Sequence, residues 1–409
     1  MSNNPSALPF SSLRVLLTSF AAFCLAATAL GQQPSQQNRS RPFGPDACGP
    51  ADPTYIRTAE ETGGLPMFLQ RSEVAKSMKF MGATLGGNRV DLLWATDTLR
   101  GDSSEFAVPV DSTVENITFA MSTNTKGTSL VVLNPAGEEI KTGDTGADVT
   151  ELNCGRFLTL KRPAPGDYRL RVTGSGKFWL EAEGKSEIFT FGLEFVELGG
   201  RPGHQGMFRI SGQPLADRPA TLECSIQKEA QDVAFRLISP AGKTLQTIKL
   251  QPIDNSGDDI EFSGTFKLPA TPFRIAVTGK NSKGEAFQRI QNTLYHAETV
   301  RVTPESLLEV ERPAGKTTTI TFTVHNVGAP ATFRIIVADA RRFVSRAEPK
   351  ELLVGKDGSA KVEVDLTVPA SATAGIGDDV SITAQSLTGP PTYNGAVQPV
   401  SVVAPRKAP

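Results

Sequence analysis

An internal repeat with an offset of 105 residues constrains this chain more than any other feature. Residues 133–137 fall on residues 238–242, and residues 169–174 fall on residues 274–279. Within both copies apolar and polar residues alternate, as they do in strands that bury one face. A repeat of this length and pattern is typical of one β-sandwich domain and is too long for a solenoid unit.

The repeat also aligns residues that are predicted to face a core. Three apolar positions of the first copy match three of the second: Ile117, Phe119 and Met121 against Leu222, Cys224 and Ile226. Alternating segments continue from residue 298 to residue 404. We therefore predict a mainly β protein of tandem Ig-like or jelly-roll β-sandwiches, at residues 89–186, 187–297 and 298–404.

A small α/β segment is predicted before the first sandwich, at residues 54–88. Residues 55–61 read as a helix that ends at Gly63, residues 65–69 as a strand, and Ser72 as the cap of a second helix. So short a segment cannot bury a core of its own, so we expect it to pack against another part of the chain.

The N-terminus predicts export. Arg14 precedes an apolar run at residues 15–30, and Ala29 and Gly31 suit cleavage by signal peptidase. The run is shorter than the roughly 20 residues of a spanning helix, although retention as an anchor stays open. The prediction is a signal peptide at residues 1–31, a disordered leader at 32–53 and a tail at 405–409. The mature protein is then secreted, extracellular or periplasmic, with no membrane span.

Charge and motif content exclude several classes of function. Lys and Arg number 42 against 43 Asp and Glu, so the chain lacks the basic surplus of a protein that binds nucleic acid through its phosphates. Three widely separated histidines supply little for a His-based metal site or catalytic triad. The chain also has no Gly-x-Ser-x-Gly or His-Glu-x-x-His motif. We expect a protein that is not an enzyme and that has no cofactor, unless an acidic cluster binds calcium.

The densest acidic cluster lies at residues 254–261. Five of its side chains offer oxygen ligands of the kind calcium prefers: Asp254, Ser256, Asp258, Asp259 and Glu261. The spacing does not match an EF-hand, because the glycine comes too early. The alternative is a solvated hairpin loop between repeat strands.

Two further features are candidate binding groups. Arg100, Gly101 and Asp102 form an integrin-type tripeptide on a predicted loop. Trp179 alternates with inward-facing neighbours and is therefore expected on the outer face of its strand. An outward tryptophan is either a binding platform or is covered by a neighbouring domain, and close domain spacing favours coverage.

Three cysteines follow the predicted signal peptide. Cys224 lies on the apolar face of its strand and is expected to be a buried, free thiol. Cys48 and Cys154 both precede glycine in loop-like segments, and we predict that they form a disulfide in an oxidising compartment.

The second repeat carries a family resemblance. Phe273, followed by the Val277–Thr278–Gly279 run, Gly284 and the Phe287–Gln288–Arg289 end, resembles the segment that follows the von Willebrand factor A (VWA) domain in hemicentins and related proteins. The turn at residues 135–137 and the Glu-Thr-Gly-Gly at residues 61–64 also resemble that region. The similarity covers residues 55–297, and residues 54–88 resemble the end of a VWA domain. Residues 298–404 are similar to bacterial Ig-like modules.

The resemblance implies an extracellular role in adhesion or protein binding. A VWA domain holds a divalent cation through an Asp-x-Ser-x-Ser motif, and that motif does not occur in this chain. The metal-dependent adhesion of VWA domains is therefore not carried over. The expected partner is an extracellular or envelope protein. The alternatives are a glycan-binding or accessory module for a secreted hydrolase, and a hydrolase whose site has no recognised motif.

Overall fold

A computed structural model describes residues 48–49, 51–84, 87–201 and 203–404. The predicted signal peptide, the C-terminal tail and all of the leader but residues 48–49 and 51–53 lie outside the described residues. Helix α1 spans Pro53–Thr62, a 3-10 turn spans Arg71–Glu73, and helix α2 spans Val74–Thr84. Within the described part of the chain, no helix has the length and apolar character needed to cross a bilayer.

The regular structure described after the helices consists of β-strands, which form three sandwiches. The first sandwich contains β1 (Arg89–Val110), β2 (Val114–Thr123), β3 (Ser129–Leu133), β4 (Ala147–Leu152), β5 (Gly155–Lys161) and β6 (Gly166–Ser186). The second contains β7 (Thr190–Arg201), β8 (His204–Arg209), β9 (Pro219–Gln227), β10 (Gln231–Ile238), β11 (Thr244–Ile248), β12 (Gln251–Asp254), β13 (Asp259–Lys267), β14 (Arg274–Lys280) and β15 (Ala286–Ile290). The third contains β16 (Val300–Thr303), β17 (Val310–Pro313), β18 (Thr317–Asn326), β19 (Ala331–Asp339), β20 (Val344–Glu348), β21 (Glu351–Val354), β22 (Gly358–Thr367), β23 (Gly377–Ser386) and β24 (Tyr393–Val403). The predicted mainly β fold of tandem sandwiches is confirmed, while the predicted boundaries between them stay predictions.

Two long strands form the frame of the first sandwich. β1 and β6 pair along almost their whole length, but β6 pairs with β3 through its first half and with β2 through its second half. The change falls at Gly174, where φ is +134° and a Cβ would lie 2.7 Å from the Gly127 carbonyl oxygen. Side chains from both halves of β6 line one core, which also contains Leu130 and Phe119.

The repeat predicted from the sequence is present in the strand pairing. Leu133 lies opposite Arg169 in the first sandwich, and Ile238 lies opposite Arg274 in the second, which is the same register. The matching turns close with equivalent hydrogen bonds, from Gly137 N–H to the Asn134 carbonyl (2.8 Å) and from Gly242 N–H to the Ser239 carbonyl (2.9 Å). The six aligned apolar residues are all buried in the cores.

The first two sandwiches keep separate cores but share one sheet. Asp91 on β1 pairs with Ile290 on β15, so the sheet β11-β10-β14-β15 continues into the first sandwich. The Thr96 N–H donates to the Pro240 carbonyl (2.8 Å), and the Gln288 side chain donates to the Leu92 carbonyl (2.7 Å). The sequence did not indicate this continuous sheet.

The third sandwich stacks a four-stranded sheet, β16-β18-β22-β20, on a five-stranded sheet, β17-β24-β23-β19-β21. β17 and β24 pair in parallel, and every other pair in the two sheets is antiparallel. Valine, isoleucine and phenylalanine side chains from both sheets fill one core around Phe322 and Phe333. This arrangement is the Ig-like sandwich expected from the alternating pattern.

The N-terminal segment differs in part from its prediction. Helix α1 ends as expected at Gly63, which has φ of +79°. The predicted strand at residues 65–69 is wrong, because these residues pair with no strand. The second helix begins after a 3-10 turn capped by Gln70 and Glu73 rather than by Ser72. Residues 51–84, which we call the strap, contain no strand and pair with none of the sheets.

Candidate binding surfaces and a buried carboxylate cluster

The strap lies against the outer face of the first sandwich. Strand alternation puts Ala120 and Phe157 on the face opposite the core, where they form a second apolar cluster with Phe80. The rings of Phe80 and Phe157 stack with centroids 4.8 Å apart. Leu65 and Met67 pack against the same cluster. The packing expected for this small segment is therefore provided by the first sandwich.

Trp179 lies beneath the strap. Its side chain is 1% exposed, its ring is 5.6 Å from that of Phe68, and its Nε1–H donates to Glu60 Oε1 at 2.7 Å. Trp179 is therefore not available as a binding platform in this conformation. The sequence favoured coverage by a neighbouring sandwich. The structure shows that the strap covers Trp179 instead.

Helix α1 lies where the three sandwiches meet. The Leu294 N–H, from the segment after β15, donates to the Glu61 carbonyl at 2.9 Å. The Tyr393 hydroxyl, from the third sandwich, donates to Glu61 Oε1 at 2.7 Å, and Arg57 pairs with the same oxygen at 3.0 Å. One helix thus contacts all three sandwiches.

A disulfide attaches the N-terminal region to the first sandwich. Cys48 and Cys154, the pair favoured from the sequence, are bonded, with Cα atoms 5.9 Å apart. Gly155 follows Cys154 because a Cβ there would lie 2.5 Å from the Met121 carbonyl oxygen. Cys224 is free and buried as predicted, and its burial raises the pKa of the thiol to about 12. That thiol is therefore protonated and unreactive near neutral pH.

Three carboxylates are buried together beside the strap. Glu181 and Glu183 follow Trp179 on the same outer face of β6, and Asp91 lies opposite Glu183 on β1. All three side chains are buried, and oxygens of the three lie within 4.8 Å of one another. We call Asp91, Glu181 and Glu183 the carboxylate cluster. These three residues were not among the sites predicted from the sequence, although two acidic residues beside Trp179, on a face predicted to be covered, were a usable signal.

Two guanidinium groups supply positive charge to the carboxylate cluster. Arg89 pairs with Glu183 through Nε and lies 3.6 Å from Glu181. Arg274 comes from β14 of the second sandwich, is fully buried, and stacks on Trp94 with its Cζ 3.6 Å from the ring centroid. Burial lowers the pKa of Arg274 to about 10. The compensating charge therefore comes from protein side chains of both sandwiches.

Burial also determines how the carboxylate cluster ionises. It raises the pKa of Glu183 to about 8, and the neighbouring Asp91 adds to this effect. Burial, followed by the charges of Asp91 and Glu183, raises the pKa of Glu181 well above its ordinary value. Burial raises the pKa of Asp91 as well. The cluster therefore holds protons at neutral pH that exposed carboxylates would have lost.

The predicted calcium loop joins β12 to β13. The Ser256 N–H donates to Asp254 Oδ1 at 2.9 Å, which closes a local turn. The Lys228 ammonium donates to the Asn255 and Gly257 carbonyls at 3.1 and 3.2 Å. A side-chain cation thus occupies backbone oxygens of this loop. Calcium binding by Asp254, Ser256, Asp258, Asp259 and Glu261 stays a prediction.

The Arg-Gly-Asp tripeptide is exposed. Its predicted position on a loop is wrong. It forms a bulge within β1, where the pairing with β6 shifts register between Arg100 and Asp102. Gly101 has φ of +93°, and Asp102 Oδ1 accepts the Arg100 N–H at 2.9 Å. One carboxylate oxygen is therefore engaged locally, and an adhesive role of this tripeptide stays a prediction.

The outer face of the five-stranded sheet in the third sandwich is open to solvent. Ile336, Leu353 and Val397 are 46%, 71% and 45% exposed. Thr383 lies opposite Ile336 on β23, and Ser381 lies opposite Val397. This set, which we call the open face, combines exposed aliphatic groups with hydroxyls on four adjacent strands. Such a mixture is typical of a surface that contacts another protein.

A cleft of about 360 Å³ opens between α2 and the strands β4 and β5. Phe80 and Phe157 form its apolar floor, and Thr150, Thr159 and Lys161 contribute polar groups. Its combination of aromatic carbon with hydroxyl and ammonium groups suits a small polar ligand.

Two family models match separate parts of the chain. Residues 89–187 match the hemicentin galactose-binding domain-like family, and residues 303–404 match the VWA7 Ig-like domain family. The first range is the first sandwich, and the second covers nearly all of the third. The matches therefore agree with the mainly β tandem architecture.

The chain is also similar to curated relatives and, more distantly, to solved structures. Hemicentin-1 from Mus musculus and from Homo sapiens are 25% and 24% identical over 252 residues, which cover 59% of this chain and 4% of each relative. Two solved structures, a Bacillus licheniformis lipase in its propeptide form and an elastase-activated Escherichia coli alpha-2-macroglobulin, are 13% and 10% identical. They cover 50% and 78% of this chain and 40% and 33% of their own, and their TM-scores of 0.24 are too low to indicate a shared fold. The two family models and the two curated relatives together support a hemicentin-like protein.

Proposed function

We propose that this chain is a secreted, non-enzymatic adhesion protein that binds an extracellular protein through the third sandwich. The similarity to hemicentins favours an extracellular adhesion or binding role. The cysteine bridge is the kind of bond that persists in oxidising compartments, which supports secretion.

The open face carries this proposal. Isolated exposed aliphatic residues are common, but here Ile336, Leu353 and Val397 share one side of a regular, well-packed sheet. The sheet is rigid because its other side packs into the core around Phe322 and Phe333. A rigid surface loses little conformational entropy on binding, so modest apolar contacts can contribute affinity.

Charged substitutions on the open face should weaken binding. We expect Ile336→Asp combined with Val397→Asp to lower the affinity for a protein partner tenfold or more, because each carboxylate would lose its hydration at the interface. Binding of the immobilised full chain to a panel of purified extracellular and cell-surface proteins would be measured by biolayer interferometry.

The matched control places the same charge elsewhere. Leu245→Asp alters an exposed leucine of the second sandwich and should leave binding unchanged. Retention of every interaction by the open-face variant would show that this face is not the binding surface.

A glycan-binding role is a second candidate, and the cleft beside Phe157 favours it. The first sandwich matches a family described as galactose-binding domain-like, and the cleft offers an aromatic floor with hydroxyl groups and Lys161. We expect a glycan array to show galactose-containing ligands, and Lys161→Ala to reduce their binding about tenfold through the loss of a charged hydrogen bond. Lys267→Ala, an exposed lysine outside the cleft, is the control. An array with no bound glycan would dismiss this candidate.

A further inference from the structure

The carboxylate cluster occupies a position that couples three parts of the molecule. It lies on the outer face of the sheet that the first and second sandwiches share, beside the Trp179 that the strap covers. Four other charged groups face the cluster or its cover: Arg89 on β1, Lys177 on β6, Arg274 on β14 and Glu60 on α1. A change of charge here would therefore act on the strap and on the joint between the sandwiches together.

The hydrogen-bonding of the cluster is incomplete. Glu183 Oε2 is buried without a hydrogen-bond partner, whereas Glu183 Oε1 pairs with Arg89. The Arg89 guanidinium lies 3.6 Å from Glu181 Oε1 and 4.0 Å from Asp91 Oδ1, and neither oxygen accepts a hydrogen bond. Three carboxylates face two guanidinium groups, so full ionisation would leave excess negative charge away from water. Arg89 is the solvent-accessible one of the two guanidinium groups, since 44% of its side chain is exposed. Protonation would remove the excess negative charge. Each neutral carboxylic acid could then donate a hydrogen bond to an oxygen of its neighbour.

We propose that the carboxylate cluster is a proton-operated latch, which holds the strap closed while protonated and releases it when the protons are lost. Release would expose Trp179, Ala120 and Phe157, an apolar strip on the outer face of the first sandwich. The disulfide between Cys48 and Cys154 keeps the strap attached, so opening is reversible.

The direction of the pH effect follows from the raised pKa values. Burial raises the pKa of Glu183 from an ordinary 4.5 to about 8 in the closed state. Access of water on opening would return this pKa towards 4.5. The closed state therefore binds protons more tightly than the open state. Its advantage is complete below the ordinary pKa and is lost as the pH rises through about 8. The strap should be closed in an acidic compartment and should open in alkaline solution.

The chain contains a built-in reporter for this motion. Its only two tryptophans, Trp94 and Trp179, both lie at this joint and are buried. Intrinsic fluorescence therefore reports the environment of the strap without a label. Opening should shift the emission to longer wavelength and increase quenching by acrylamide, since both effects require contact between indole and water or quencher.

The test is a fluorescence titration of the full chain between about pH 5.5 and about pH 9. We expect the acrylamide quenching constant of the wild type to rise severalfold across this range and to return on acidification. Glu183→Gln is nearly isosteric and cannot ionise, so its quenching should stay low throughout. Arg89→Gln removes the accessible cation that offsets ionised carboxylates, so its quenching should exceed that of the wild type above about pH 8, where Glu183 ionises.

Glu105→Gln is the matched control, because it changes an exposed glutamate of the first sandwich that pairs with Arg171. This variant should reproduce the wild-type curve. A flat wild-type curve would overturn the proposal, as would a Glu183→Gln curve that matches the wild type. Should Glu183→Gln fail to fold by circular dichroism, Arg89→Gln decides, because quenching in that variant that stays at the wild-type level above about pH 8 equally contradicts the latch.

Discussion

Replacing Arg289 by alanine is expected to cost about 3–5 kcal/mol of folding free energy. Arg289 lies at the end of the second repeat and pairs with Asp111 of the first sandwich at 2.7 Å, and both side chains are buried. Its guanidinium also donates to the Ile188 carbonyl and to Ser186 Oγ, each at 2.7 Å. Alanine would leave the Asp111 carboxylate buried without its counter-ion. Urea unfolding followed by circular dichroism measures the loss.

Two further variants define that result. Arg171→Ala breaks an ion pair with Glu105 that is exposed on both sides, and it should cost only about 0–1 kcal/mol. Combining Arg289→Met with Asp111→Leu removes both buried charges, so it should cost less than the sum of the two single changes. An Arg289→Ala protein as stable as the exposed-pair variant would show that this ion pair does not fix the joint.

Removing the disulfide should produce the second large effect. Cys48 and Cys154 are 106 residues apart in sequence, and closing a loop of this size stabilises a fold by about 4.7 kcal/mol in the chain-entropy model. Substituting both cysteines by serine should therefore lower the free energy of unfolding by about 2–5 kcal/mol. Trp179 should also become more accessible to quencher, because the strap that covers it loses its attachment. Thermal unfolding and tryptophan quenching check the two parts.

Cys224 provides the matched control for that experiment. It is buried in the second core and forms no bond, so Cys224→Ala should retain the wild-type sensitivity to reducing agent. The double serine variant should show no such sensitivity. A wild-type protein whose unfolding is unchanged by dithiothreitol would contradict a stabilising role for the bridge.

The repeat made the fold predictable because it specifies both the side-chain pattern and the spacing of turns. Phe119 and Cys224 occupy equivalent core positions, and the glycines at 137 and 242 end equivalent turns. Alternation requires only that one face of each strand be buried, and this can be read residue by residue. The Ig-like class of the third sandwich followed from the same signal.

The strap shows where prediction from local sequence composition fails. Residues 65–69 have the composition of a strand, yet they pair with no strand, and Leu65 and Met67 pack against the outer face of the first sandwich. Strand formation depends on a partner backbone, which is a property of the assembled fold and not of the segment. The outward position of Trp179 was predictable from alternation, but the identity of its cover was not.

Residue patterns along the chain were enough to predict the class of fold, the duplicated register and the burial of Cys224. They did not predict that β15 adds to β1, that Arg289 reaches Asp111, or that three carboxylates are buried together beside the strap, all of which the folded chain reveals. The predicted features depend on residues close together in the sequence, and the missed ones depend on residues far apart in it. Alternation and turn chemistry act between neighbours in the chain, whereas the pKa of a carboxylate depends on excluded water and on charges that distant parts of the chain bring to it.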